Sequence, residues 1–164
     1  MNTKLAVKDD ASGVTKKVLE EKWGKPLMSE GYTVMPNIIF QHQKALKLKP
    51  LDVLILLHLV AYWWKANEPP RPAKGTIANA LNVDSRTVQR AVERMEKLGY
   101  IQRIARKASA GDNLPNSYDL SGLVKAATKH ALDQKNKKAS RSKEDKDMLS
   151  TPTAFNLIKG GKGK

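Results

Sequence analysis

Polar side chains with the chemistry to recognise DNA bases occur together in the segment from Ser85 to Arg90. An arginine guanidinium can donate two hydrogen bonds to O6 and N7 of guanine, and a glutamine amide can pair with N6 and N7 of adenine. On a helical wheel, Arg86 and Arg90 fall opposite an apolar stripe, so burial of that stripe would turn both arginines outward. A merely solvated surface helix would show the same polar face. Our hypothesis assigns the reading of bases in a major groove to Ser85, Arg86, Gln89 and Arg90.

Other cations and hydroxyls around this segment suit contacts with phosphates. Short hydroxyls and amino groups near helix starts commonly meet the DNA backbone, and cations on a hairpin can lie against the backbone or in the minor groove. For Thr76 and Thr87, helix capping or packing is an equally good interpretation, and a solvated hairpin would also carry cations. We predict DNA-backbone contacts by Lys74, Thr76, Thr87 and Arg94, and contacts from a hairpin by Arg103, Arg106 and Lys107.

Two short helices joined by a tight turn are predicted to position these side chains. The turn comprises Asn82–Asp84, and Asp84 is suited to be the N-cap of the second helix. Gly99 supplies the usual signal for the end of that helix. The apolar residues of the second helix recur at i, i+3, i+4, i+7 and i+10, a spacing that places them on one face; they are Val88, Ala91, Val92, Met95 and Leu98.

A β-hairpin is predicted directly after the second helix. Its strands are Tyr100–Ala105 and Asn116–Leu120, separated by a polar stretch that contains glycine. Two helices in this arrangement, followed by such a hairpin, constitute a winged helix-turn-helix. The predicted fold class is therefore mainly α with a small β-hairpin wing.

Three regions are predicted along the chain. Residues 1–30 form an N-terminal extension with a short helix that ends near Trp23, and residues 31–132 form the winged domain. Residues 133–164 form a basic, largely disordered tail, because Lys, Asn, Ser and Gly dominate it. In the winged domain we also expect a strand at Gly31–Met35, a helix over Asn37–Leu46, a buried helix over Leu51–Trp64, a stiff connector at Glu68–Pro72, and a last helix from Ser121 to about Leu132.

Composition favours a polyanionic partner. Thirty Lys and Arg against 16 Asp and Glu give a formal net charge of +14, which favours nucleic acid. The absence of cysteine excludes disulfides, thiolate catalysis and cysteine-ligated metals. No pattern of catalytic, metal-binding or phosphate-loop residues is present, so we expect no enzymatic activity, metal or cofactor. Met1–Asp10 lacks an apolar signal core, and no segment is apolar enough to cross a bilayer. We expect a cytoplasmic protein, associated with the nucleoid or a plasmid and not with membranes.

A resemblance to known domains is carried by the run L-x-V-x-S-R-T-V-Q-R-A-V-x-x-M-E-x-L-G-Y-I-x-R, starting at Leu81, and by N-S-Y-D-L-S-G-L-V, starting at Asn116. This pattern resembles winged helix-turn-helix domains of bacterial transcriptional regulators and of plasmid or phage replication and maintenance proteins. The mobile-element group often begins with G-Y-x-x-x-P-N, found here at Gly31–Asn37. The resemblance implies a DNA-binding role for Ser85, Arg86, Thr87, Gln89 and Arg90.

We therefore predict sequence-specific binding of double-stranded DNA by a transcriptional regulator of a bacterial mobile element. One alternative is a plasmid or phage accessory protein for replication or partition that binds repeats at an origin. A second is a protein-interaction module without specific DNA readout. A single recognition helix contacts few base pairs, so we expect a homodimer, with the helix around Trp23 and the helix after Ser121 as its interface. Phe155, Leu157 and Ile158 in the tail could bind a partner protein.

Overall fold

Seven helices and a two-stranded sheet make up the part of the chain that the computed structural model describes, residues 12–107 and 113–150. The predicted order of two helices, a turn and a hairpin is confirmed. The elements are α1 Ser12–Trp23, α2 Lys25–Glu30, α3 Asn37–Gln41, α4 Pro50–Ala61, α5 Lys74–Leu81, α6 Ser85–Lys97, β1 Gln102–Lys107, β2 Asn113–Asp119 and α7 Ser121–Ser150.

The core forms where α4, α5 and α6 pack together. Helix α4 contributes Ile55, Leu56 and Leu59, each fully buried. Its other face is accessible, since Leu54 and Leu57 are exposed, so the prediction that this helix is buried almost all round is wrong. The remaining buried apolar residues come from α3, α5, α6, β2 and α7 and from the segments between helices and strands: Ile39, Leu46, Leu48, Ile77, Ala78, Val88, Ala91, Val92, Met95, Ile101, Tyr118, Leu120, Leu123 and Ala127.

Two left-handed residues set the geometry around α6. Asn82 ends α5 at φ 51°, and the Val83 N–H donates to the Ala78 carbonyl. Gly99 follows α6 at φ 73°, and the Tyr100 N–H donates to the Met95 carbonyl at 2.9 Å. This 6→1 hydrogen bond at a left-handed glycine is a Schellman motif. Both turns are therefore closed by backbone hydrogen bonds that satisfy the last carbonyls of a helix.

The wing is an antiparallel pair of strands with a bulge. Ile104 faces Ser117 and Arg106 faces Leu114, so two residues of β2 oppose Ala105 alone. One of those two is Pro115, which has no N–H to donate and is therefore tolerated at a bulge. The N–H of Tyr118 donates to the carbonyl of Pro70 at 2.9 Å. The proline-rich connector is thus attached to β2.

Three sequence-based expectations about the ends of the domain are wrong. Gly31–Met35 forms no strand, and none of the described strands lies beside it to supply hydrogen bonds. Helix α3 ends at Gln41 rather than Leu46, because the chain turns there. Helix α7 continues through Ser150, so residues 133–150 are not disordered. No Gly or Pro occurs between residues 123 and 150, and Lys, Ala, Gln and Glu favour helix. The apolar cluster at residues 155–158 lies outside the described residues.

Helix α7 starts in close contact with the end of α6. The N–H of Leu123 donates to the carbonyl of Tyr100 at 3.0 Å, and a methyl group built on Gly122 would collide with the Gly99 carbonyl oxygen. This position therefore has room only for glycine.

Substituting Gly122→Ala should lower the free energy of unfolding by about 1–3 kcal/mol, because the backbone has to move apart. Gly75→Ala is the matched control, since nothing lies within 4 Å of its added methyl group. In the helical position of Gly75, alanine should raise stability by up to about 1 kcal/mol. Urea unfolding of both variants measures the difference. Equal effects would show that Gly122 is not a close contact.

Candidate nucleic-acid interface

The first turns of α6 present the predicted base-reading residues to solvent. Val88, Ala91, Val92 and Met95 are at most 1% exposed, so this stripe lies against α4 and α5. Arg86 and Arg90 are exposed on the opposite side, and Ser85 is exposed beside the stripe. Neither arginine takes part in an ion pair with any residue that the structure describes. Their guanidinium groups are therefore available for contacts outside the chain.

Asp84 occupies the N-cap position of α6, as predicted, but the expectation that its side chain accepts the first N–H groups of the helix is wrong. Its side chain makes no capping hydrogen bond; instead its backbone carbonyl accepts from the Thr87 N–H at 2.8 Å. No acidic residue occurs in the first turn of α6. Asp84 at the N-cap is therefore the acidic residue nearest to the positive end of the helix dipole, and the first turn adds no second carboxylate.

Gln89, the fourth predicted reader, is half-buried and hydrogen-bonded at both ends of its amide. Lys74 Nζ donates to Gln89 Oε1 at 3.0 Å, and Gln89 Nε2 donates to Glu93 Oε1 at 2.9 Å. Lys74 is the first residue of α5. The three side chains thus join the starts of the two helices of the motif across its polar face.

Arg94 is not a free cation on this surface, so its predicted role in DNA-backbone contact is corrected. Its guanidinium forms an ion pair with Asp52 on α4, and its Nε donates to Asp52 Oδ2 at 3.2 Å. The Asp52 side chain is completely buried and also accepts the Lys49 N–H at 2.8 Å. A buried carboxylate without a cation would be very costly. Arg94 therefore stabilises the fold by neutralising the buried carboxylate of Asp52.

Arg103 is likewise engaged inside the protein, which corrects its assignment to the DNA-contacting wing. Its Nη2 lies 2.7 Å from Glu96 Oε2, and its backbone N–H donates to Glu96 Oε1 at 3.0 Å. The pair joins the first strand of the wing to α6.

The ion pair also determines the ionisation of Glu96. Burial opposes ionisation of this carboxyl, but the hydrogen bonds and charge of Arg103 outweigh burial, so the pKa of Glu96 lies below its ordinary value. The hydrogen bond that Arg103 donates to Glu96, in turn, raises the pKa of Arg103. A lowered carboxyl pKa contributes stability above the pKa of the unfolded state, and that stability is lost as pH falls through the lowered value.

The remaining predicted contacts are only partly described. Thr76 is exposed near the start of α5, Thr87 is half-buried in the first turn of α6, and Arg106 is half-buried on β1. The backbone of Lys107 pairs with Asn113 at the described end of the hairpin. Their contacts with DNA remain predictions.

Sequence reasoning missed Asp52 as the partner of Arg94. The available signal was a carboxylate inside an apolar segment, since a buried charge requires a cation. The 42-residue separation between the partners hid which arginine would supply it.

No cluster of three or more His, Cys, Asp or Glu in the described ranges could hold a metal ion. Likewise, no helix within 12–107 and 113–150 is both long and apolar enough to span a membrane.

Comparison with known proteins identifies the motif. Residues 46–101 match the family model described as a helix-turn-helix domain. The fold is similar to the N-terminal domain of DnaD protein from Geobacillus kaustophilus HTA426, with a TM-score of 0.52 and 20% identity, over 76% of this chain and 96% of that chain. A possible transcriptional regulator from Methanosarcina mazei Go1 gives a TM-score of 0.42 and 18% identity, over 69% and 96%. No curated protein sequence matches the chain.

The family match spans the two helices of the motif, and the hairpin β1–β2 follows them directly. The chain therefore contains a winged helix-turn-helix domain, as the sequence predicted. Helix-turn-helix domains as a class bind DNA through the second helix of the motif, which is α6 here.

Substituting Arg94→Met should lower the free energy of unfolding by about 3 kcal/mol, because it leaves the buried Asp52 carboxylate without its cation. Arg90→Met is the matched control on the same helix, and its effect should stay within about 0.5 kcal/mol because Arg90 is exposed. Urea unfolding measures the free energy of unfolding of both variants, and an unchanged m-value shows that the change is one of stability. If the two variants lose equal stability, the Asp52–Arg94 pair does not hold α6 to α4.

Proposed function

We propose that this protein binds double-stranded DNA at specific sequences through the exposed face of α6. The observation that carries the proposal is the contrast among the arginines of α6. Arg94 forms an ion pair with the buried Asp52, whereas Arg86 and Arg90 are exposed and form no ion pair with any described residue. An Arg fork matches guanine bidentately. The half-buried amide of Gln89 lies beside them and matches adenine.

Charge on the rest of the chain supports a DNA partner. The described distal half of α7, residues 133–150, carries six Lys or Arg against four acidic residues, and its side chains from Lys135 to Glu144 are all exposed. Cations of this kind release counterions from DNA and add affinity that does not depend on sequence. We assign sequence preference to α6 and a sequence-independent contribution to α7.

The biological role that we propose is transcriptional regulation of a bacterial mobile element. The support is the resemblance of the segment from Gly31 to Val124 to domains of that group. We propose no catalytic activity, because the candidate interface presents groups for hydrogen bonding and charge neutralisation. A recovered site in the protein's own promoter would support regulation, whereas repeated sites at an origin would instead indicate a replication or partition function.

Substituting Arg90→Ala should lower the ratio of affinities for a selected duplex over a scrambled duplex by about tenfold, since one bidentate base contact is lost. The selected duplex is the one recovered from a random pool by the full chain. Fluorescence anisotropy with both labelled duplexes measures the ratio.

Arg141→Ala on the distal part of α7 is the matched control, because it removes the same side chain from an exposed position. It should weaken both duplexes to a similar extent and leave the ratio unchanged. Identical behaviour of the two variants would contradict base reading by α6. If the wild-type chain bound no duplex at low ionic strength, the protein-interaction alternative would replace DNA binding.

We also propose that the protein acts as a homodimer, joined through its N-terminal arm, residues 12–34. No side chain described between residues 16 and 34 is buried, yet the arm carries several large apolar groups. Four lysines against three glutamates give the arm a formal charge of +1. Two copies of a chain with net charge +14 repel each other, so this nearly neutral surface is where they can meet. The exposed apolar residues of the arm are Val18, Trp23, Leu27, Tyr32 and Val34.

The arm leads into an apolar groove of about 400 Å³ between α3, α4 and α7. Val34 at the end of the arm lines it, together with Trp63 after α4 and Val124 on α7. The indole Nε1 of Trp63 is buried without a hydrogen-bond partner in the described structure. Val34 belongs to both the arm and the groove, and α7 lines the groove, so we include the groove in the proposed dimer interface together with the arm.

Substituting Trp23→Glu should convert the dimer into a monomer, because a carboxylate would be buried in the interface. Trp64→Glu is the matched control, since Trp64 is also largely exposed but lies outside the arm. Light scattering should give twice 18.2 kDa for the wild type and the control, and 18.2 kDa for Trp23→Glu. A wild-type mass of one chain at micromolar concentration would overturn the dimer.

A further inference from the structure

The orientation of the Gln89 amide is determined by its two neighbours. The ammonium group of Lys74 can only donate hydrogen bonds, and the ionised carboxylate of Glu93 can only accept them. Lys74 lies 3.0 Å from the amide oxygen, and Glu93 lies 2.9 Å from the amide nitrogen. If the amide were flipped, a donor would face a donor and an acceptor an acceptor. One orientation of the amide is therefore strongly preferred.

Both the oxygen and the nitrogen of the Gln89 amide can still form a hydrogen bond to a base. An amide oxygen accepts two hydrogen bonds and an amide nitrogen donates two, and each neighbour uses one. One lone pair and one N–H remain on Gln89, which are the acceptor and the donor that adenine N6 and N7 require. Lys74 also keeps two further N–H groups for a phosphate. The internal network and the DNA contacts predicted for both residues are thus chemically compatible.

We propose that Glu93 is a positioning residue for base discrimination, acting with Lys74 to fix the Gln89 amide before DNA arrives. This inference rests on the proposed function. A glutamine side chain that is already ordered loses less conformational freedom on binding. A fixed amide also presents its donor and acceptor in one order, so a base pair with the reversed pattern is rejected. Glu93 lowers the affinity for DNA through its charge and raises the selectivity through its hydrogen bond.

Two substitutions at Glu93 separate the charge from the hydrogen bond. Glu93→Gln and Glu93→Ala both remove one negative charge, so the two variants should raise the affinity for a scrambled duplex to a similar extent. Only Glu93→Gln keeps an oxygen that can accept from Gln89 Nε2. Glu93→Gln should therefore retain the discrimination of the wild type, whereas Glu93→Ala should lose about tenfold of it at a single base pair.

The measurement starts from the duplex that the full wild-type chain selects. The base pair contacted by Gln89 is the one at which Gln89→Ala loses its preference. The selected duplex is then compared with the three duplexes that carry another base pair at that position. Affinity ratios between these duplexes are compared for the wild type and both Glu93 variants. In a Gln89→Ala background the two Glu93 substitutions should give equal ratios, because the amide that they orient is gone. If Glu93→Ala retains the wild-type ratio, or if Glu93→Gln loses as much as Glu93→Ala, the positioning role is overturned.

A second readout needs no DNA. The side-chain NH₂ signals of Gln89 in a ¹⁵N–¹H spectrum of the full chain can be assigned by their loss in Gln89→Ala. In the wild type and in Glu93→Gln they should be displaced from the signals of solvated glutamines, and in Glu93→Ala they should move towards them. If Glu93→Ala leaves these signals unchanged, the hydrogen bond between Gln89 and Glu93 and the positioning role are overturned, but the proposed function is not. A wild-type chain that binds all duplexes equally, with the network intact in the spectrum, overturns instead the proposed function and the use made of Gln89.

Discussion

Helix α6 can pack against this domain in one rotational setting, because four apolar residues on one face fit the surface of α4 and α5. Val88 and Met95 at the two ends of that face are both fully buried. Rotating the helix about its axis would expose this face and bury arginines, at a cost far above the stability of a small domain. The setting of α6 then determines which side chains face solvent, where the helix ends at Gly99, and where the wing begins. The candidate interface follows from this packing.

The arginines and lysines of the motif differ in what they can do, and composition alone does not reveal the difference. Arg94 neutralises a carboxylate in the core, and Arg103 ties the wing to the helix. Arg86 and Arg90 lie on the exposed side of the same helix and form no ion pair with any described residue. A cation opposite a buried or half-buried carboxylate is fixed by the protein, whereas a cation on the outward face is available to a polyanion.

Periodicity predicted the parts of the fold that local patterns determine. The stripe of α6, the turn at Asn82 and the glycine after α6 are encoded within a few residues, so the helix-turn-helix could be predicted, as could the outward direction of Arg86 and Arg90. The roles of Arg94 and Arg103 depend on partners 42 and seven residues away, which spacing along one helix does not show. The segment Gly31–Met35 has the residues of a strand but no neighbour to pair with. Residues 133–150 look like a polar tail by composition, yet without Gly or Pro they continue an existing helix, which needs no new nucleation.

The joint between α6 and α7 has a structural consequence. Helix α7 is about 45 Å long at 1.5 Å per residue, and its first turn returns from the wing to lie against the Gly99 carbonyl. The distal part of this helix, from Lys135 to Glu144, is exposed, so the helix is held to the domain near its start. The contact leaves no space for a side chain at Gly122. A substitution there would therefore disturb the start of α7 and the segment that follows α6 together.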